Sequence, residues 1–117
     1  MATGTIKGNP LEYRTVTFRN GFTLESWGYI TAVKCGNLMI INGSGIRSAS
    51  AITTLTEMAD VNNTVFTGNT SFTGTVICDD KNTYNIQAWI GGQNILRISA
   101  GVPANTNFAF SIVAFCR

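Results

Sequence analysis

The sequence has no histidine, and its 117 residues include only eight basic and six acidic side chains. Without histidine, the usual base of a Ser or Cys nucleophile is missing, so no triad of that kind can be assembled. The commonest metal ligand is missing too. Cys35, Cys78 and Cys116 are odd in number and lack CxxC spacing. Three scattered thiolates make no recognisable ligand set, so no metal site and no cofactor are expected. Free, buried cysteines in a chain made in a reducing cytosol are the simpler expectation. No GxxxxGK[ST] phosphate loop occurs. The net charge of +2 comes from scattered residues (Lys7, Arg14, Arg19, Lys34, Arg47, Lys81, Arg97 and Arg117) rather than the clustered stripe that nucleic acid requires. No run approaches the ~20 apolar residues of a membrane span, and membrane insertion is not expected. Met1-Ala2-Thr3-Gly4-Thr5 lacks the charged start and apolar run of a secretory signal.

Polarity comes instead from uncharged residues: sixteen Thr, twelve Asn, twelve Gly and seven Ser. Thr favours strands, while Asn, Gly and Ser favour turns. With 44% hydrophobic residues, one domain of this length can fill a core. The pattern of short β-rich runs between Gly/Asn signals predicts strands near Tyr13–Phe18, Tyr29–Lys34, Leu38–Ser44, Ser71–Cys78, Thr83–Ile90, Ile95–Ser99 and Phe108–Phe115. Cys35-Gly36-Asn37, Asp79-Asp80-Lys81-Asn82 and Gly91-Gly92-Gln93-Asn94 are the connecting turns. The only helical candidate, Ala49 to Asp60, has a Thr-rich middle that favours a loop or short turn. The expected fold is all-β, an antiparallel β-sandwich or knob-like barrel of about seven to eight strands. Residues 1–12 read as a flexible lead-in or linker and 13–117 as one domain.

Neighbouring side chains on a strand point to opposite faces. Phe108, Phe110, Ile112, Ala114 and Cys116 therefore share a face, the clearest core stripe in the chain. Val76 and Cys78 face inward, with Thr75 and Ile77 outward. Along Tyr29–Ser44 both faces are apolar: Tyr29, Val33 and Cys35 on one side and Ile30 and Ala32 on the other, followed by Leu38 and Ile40 against Met39 and Ile41. Two readings are open for this hairpin. A partner subunit covers its second face, or the chain's own loops do.

Candidate ligand-binding residues are few. Trp89 shares its face with Asn85 and Gln87, an aromatic among amides suited to stacking on a sugar ring or packing on another subunit. Trp27, beside Gly28, either caps one end of the core or offers a second platform. Asp79 and Asp80 form the one adjacent carboxylate pair. With Asn82 they can bind calcium, with Asn82 and Tyr84 they can accept and donate hydrogen bonds to sugar hydroxyls, or they simply stabilise a solvated turn. Glu57 and Asp60 form a looser acidic pair, and nothing indicates the cleft that a glycosidase places between its two carboxyls. Arg47 and Arg97 are isolated cations, each able to anchor an anionic group on a glycan. Binding rather than catalysis is the expectation.

The stretch Trp27-Gly28-Tyr29-Ile30-Thr31-Ala32-Val33-Lys34-Cys35-Gly36-Asn37-Leu38-Met39-Ile40-Ile41-Asn42-Gly43 resembles a hairpin in distal domains of tailed-bacteriophage tail fibres and receptor-binding proteins. Its elements are an aromatic, a strand, a Lys-x-Gly-Asn turn and a second strand ending in x-Gly. The likeness continues loosely through Thr83–Ser99 to the terminal Phe-x-Phe-x-Ile strand. Where such domains often carry Leu-Pro in the middle loop, this chain has Leu55-Thr56-Glu57-Met58. The resemblance implies a homotrimeric knob at a virion's tail tip, made in the host cytoplasm, that binds bacterial cell-surface saccharide. A purely structural virion or fibre-trimerisation module and a small lectin-like module are the alternatives.

Overall fold

The alternating runs form antiparallel strands in the computed structural model, which describes residues 5–6, 9–67, 72–88 and 94–117. These residues are all-β, with no helix among them. The strands are β1 (Thr5–Ile6), β2 (Asn9–Arg14), β3 (Val16–Phe18), β4 (Phe22–Cys35), β5 (Leu38–Ser48), β6 (Thr56–Val61), β7 (Phe72–Cys78), β8 (Thr83–Ala88), β9 (Ile95–Ile98) and β10 (Phe108–Phe115). Their hydrogen-bonded order is β1-β2-β4-β5-β10-β7-β8-β9-β6-β3, with every pairing antiparallel. β1 makes only a two-residue ladder with β2.

One curved sheet thus folds over a single core. The corner is at Thr15, between β2 on one layer and β3 on the other. β2 pairs with β4, whereas Val16 to Phe18 pair with Val61 to Ala59. Strands that change sheets this way make the corners of β-sandwiches. Asn20 and Gly21, with φ of 56° and 77°, then reverse the chain into β4, closed by the Phe22 N–H donating to Arg19 O at 3.2 Å. Leu11 and Glu12 are paired with Cys35 and Lys34, so the sheet begins inside the stretch read as a lead-in.

The last strand carries the core as expected. Phe108, Phe110, Ile112, Ala114 and Cys116 are all buried, joined by Met39, Ile41, Ile46, Met58, Val61, Val76, Leu96 and Ile98. Phe22 meets Phe108 edge to face at 6.3 Å between ring centroids. Phe66 is fully buried and bridges Cys116 at the end of β10.

Two expectations about strands need correction. Thr56–Val61 is strand β6, not loop or turn. Its register with β9 shifts between Glu57 and Ala59, so Met58 and Ala59 are both buried and the alternation that marks a strand is lost. β4 starts at Phe22, seven residues before the expected Tyr29, because an irregularity in its middle disguises the first half.

Among the described residues, the second apolar face of the hairpin is left partly open. Facing residues put Tyr13, Val33, Ile40 and Val113 in one row across β2, β4, β5 and β10. Tyr13, Leu38 and Val113 on that surface are exposed.

Candidate functional site

Further along the same outer surface, the strand registers fail together. Between the pairs Leu24↔Ile46 and Tyr29↔Ser44, the β4 residues Glu25 to Gly28 stand opposite Gly45 alone. On the other side of β5, Ala109 faces both Ser44 and Gly45, because the register passes from Phe108↔Ile46 to Phe110↔Gly43. Bulges of this kind bend strands and re-aim side chains.

Two glycines let the bulged backbones touch. Gly45 has φ of +68°, and a Cβ there would lie 2.8 Å from Gly28 Cα and 2.9 Å from Trp27 Cζ3. A Cβ on Gly28 would lie 2.8 Å from the Gly45 carbonyl oxygen. The Trp27 indole therefore rests against Gly45 and stays 61% exposed. The expectation that Trp27 caps the core is overturned, because the bulge turns it outward.

Two adjoining cavities open here. The smaller, about 170 Å³, is lined by Trp27, Ser44, Gly45, Asp79 and Asn107, among others. The larger, about 650 Å³, runs past Tyr29, Asn42, Thr75 and Ser111. Ser44, Ile77 and Ala109 line both, so the cavities form one groove. Its walls are apolar and prominent: Tyr29 is 51% exposed and Ile77 61%. Its polar end is fixed by a reciprocal pair. The Asp79 N–H donates to Asn107 O at 3.0 Å, and the Asn107 N–H donates to Asp79 Oδ2 at 3.1 Å. Asn107 Oδ1 is buried with no hydrogen-bond partner among the described residues. At the other end, the Ser111 hydroxyl donates to Asn42 Oδ1 at 2.6 Å.

Asp79 is the one charged residue among those lining the two cavities. The Cys78 thiol behind it is pushed up to about 11, first by burial and then by the carboxylates of Asp80 and Asp79.

The other candidate residues are placed elsewhere or occupied. Asp80 accepts hydrogen bonds from the Asn82 N–H and the Tyr84 hydroxyl, each at 3.0 Å. The Asn82 N–H is the main cause holding the Asp80 carboxyl below its ordinary range. Tyr84 packs against the core, and burial, with the bond to Asp80, raises its phenol. These three residues stabilise their own turn and do not line the groove. The Arg47 guanidinium is held between Glu25 Oε1 at 2.7 Å and the Asn105 carbonyl at 2.8 Å. Trp89 lies outside the described residues, as do residues 91–93 of the expected Gly-Gly turn.

Glu57 and Asp60 are neutralised by arginines. Glu57 reaches Arg19 at 2.8 Å and Arg97 at 2.9 Å, and Asp60 reaches Arg19 at 2.9 Å. That network ties β6 to β9 and to the turn after β3. Among the described residues no three His, Cys, Asp or Glu side chains are grouped to hold a metal ion.

Sequence reasoning missed Tyr29, Ser44, Ile77 and Asn107 as neighbours of Trp27. The signal was present in Trp27-Gly28 and Gly43-Ser44-Gly45, since glycines inside strands mark bulges and close backbone approach. Comparison of the chain with family models, curated proteins and solved structures finds no match.

Proposed function

We propose that the chain is a non-catalytic binding domain that takes a bacterial surface saccharide in this groove, as the receptor-binding head of a phage tail fibre. The observation that carries the reading is Trp27, held in solvent by two obligatory glycines beside a hydrogen-bonding carboxylate and amide. A solvent-facing indole leaves a large apolar face available to a partner, and that flat face matches a sugar ring. Ser44, Asn42, Ser111, Asp79 and Asn107 supply directional partners for hydroxyls around it. Hydrolysis fits less well. A glycosidase sets two carboxyls about 5–9.5 Å apart across the sugar, whereas Asp79 alone faces this groove. The viral assignment rests on the hairpin motif from Trp27 to Gly43, and it places the protein at a virion's tail tip after assembly in the host cytoplasm.

Glycan arrays and cell-adsorption assays on the wild type and Trp27→Ala test this. Selective saccharide binding that Trp27→Ala abolishes is expected. Absence of saccharide binding by the wild type, or indifference to the substitution, would sink the reading.

A second role is favoured by the row Tyr13, Val33, Ile40 and Val113. Scattered apolar residues on a surface are ordinary, but a contiguous patch marks an interaction site. We propose that copies of this chain cover it, as in a homotrimer. The polar row of Thr31, Asn42 and Ser111 lies between that patch and the apolar walls of the groove, whose end Asn42 and Ser111 form, so assembly and ligand binding use different ends of one surface. Analytical ultracentrifugation should find a trimer that Val113→Asp disperses. A wild type that stays monomeric at high micromolar concentration would refute self-association.

A further inference from the structure

We propose that the groove selects saccharides carrying a free, protonated amine, with the ammonium group placed between the Asp79 carboxylate and the face of Trp27. This inference rests on the saccharide reading above and adds the chemical class of the sugar. Three observations support it. Trp27 and Asp79 line the same small cavity. An ammonium group within about 6 Å of an indole centroid is attracted by the ring's negative face, and a carboxylate beside it adds direct charge pairing. Among the described residues no Lys or Arg lines either cavity, so an acidic sugar would meet one repelling carboxylate there. The arginine placed close by in the fold, Arg47, is already held by Glu25 and Asn105.

The charge environment agrees with this geometry. Asp80 follows Asp79 in the same turn, with Lys81 after them, and the thiol of Cys78, which lines the small cavity, is raised first by burial and then by the two carboxylates. Asp79 itself is positioned rather than free to swing, because the Asn107 N–H holds Oδ2. A carboxylate accepts from neutral hydroxyls as well, but an ammonium group adds direct charge pairing to that hydrogen bond. An N-acetylated amino sugar retains its ring for stacking but presents a neutral amide where the ammonium would sit.

The test uses isothermal titration of the intact protein at pH 6 and low salt with three probes: a glucosamine oligomer, its fully N-acetylated counterpart and a glucuronate oligomer. The free amine is expected to bind at least about tenfold more tightly than the acetylated form, and the acidic oligomer not to bind. Asp79→Asn, which keeps an acceptor for the Asn107 N–H, should erase the preference, bringing the free amine's affinity down to that of the acetylated oligomer. If that variant does not fold, salt dependence in the wild type decides. Affinity for the amine must fall as ionic strength rises, because screening shortens the reach of the carboxylate. Equal affinity for free and acetylated oligomers, or salt-insensitive amine binding, overturns the amine proposal and leaves the saccharide reading standing. Failure of all three probes together with an empty glycan array overturns both.

Discussion

Replacing Gly45 by alanine tests the construction of the groove, and Gly21→Ala is its internal control. Both glycines sit in the left-handed region, at φ +68° and +77°. An alanine forced there costs about 1 kcal/mol at either position. The surroundings differ. A Cβ on Gly21 would meet nothing within 4 Å, while one on Gly45 would lie 2.8 Å from Gly28 Cα and 2.9 Å from the Trp27 indole. Gly28 Cα is backbone and cannot swing away, so overpacking adds about 1–3 kcal/mol. Gly21→Ala should therefore cost about 1 kcal/mol and Gly45→Ala about 2–4 kcal/mol. At roughly 4 °C per kcal/mol for a domain of this size, these become melting-temperature drops of roughly 4 °C and 8–16 °C. In a Trp89→Phe background, where Trp27 is the sole indole, Gly45→Ala should also shift the emission maximum, while Gly21→Ala should not. Equal losses for the two variants, with unchanged Trp27 emission, would refute the close contact of β4 and β5 and the groove built on it.

Other substitutions test the core and the charge network. Gly74→Ala should cost about 1–3 kcal/mol by overpacking, because its Cβ would fall 1.8 Å from Ile112 Cγ2. Urea melts of Gly74→Ala, Ile112→Ala and the double variant should show the double losing less than the sum of the singles. Glu57→Gln removes the shared carboxylate of Arg19 and Arg97 and should cost about 1 kcal/mol, read by chemical denaturation at low and high salt. Cys78 titrates near 11 in the folded chain against 9.0 when unfolded, so the native state holds the extra proton between those values. Its contribution to stability is fully present below pH 9 and is lost as pH rises towards 11. Thermal melts across that window should fall less steeply for Cys78→Ala. At pH 8, thiol reagents should label the half-exposed Cys35 before the buried Cys78 and Cys116.

The last strand was legible because a one-sided sheet writes its burial directly into alternation, from Phe108 to Cys116. The Asp79–Asn82 turn was equally plain from its residue types. What escaped has one physical origin. Wherever a register slips, the alternation breaks. β6 hid behind Met58 and Ala59, and the first half of β4 hid behind Glu25 to Gly28. The Tyr13–Phe18 run divided at Thr15, because pairing partners and not composition decide which layer a strand joins. The groove was illegible for the same reason. Trp27 could be named as a candidate, but its orientation depends on a pairing with Gly45 that no local pattern specifies. Asp79 was singled out together with Asp80, yet the tertiary structure separates their roles. Asp79 is tied to Asn107 at the groove, and Asp80 stays within its own turn.

The bulge at Ser44 and Gly45 also resets the phase of β5. Met39, Ile41 and Gly43 point inward at odd positions, and Ile46 and Ser48 at even ones. Pulling the strand into regular alternation at unchanged length would turn Ile46 out of the core and drive Arg47 into it. The backbone that shapes the groove is thus the same backbone that keeps the far half of the strand correctly buried, and losing the bulge would cost the core Ile46. A lineage adapting to new ligands could not do so by straightening this part of the strand at constant length. Its freedom lies in exchanging the side chains at Trp27, Tyr29, Ile77 and Asp79 over an unchanging frame.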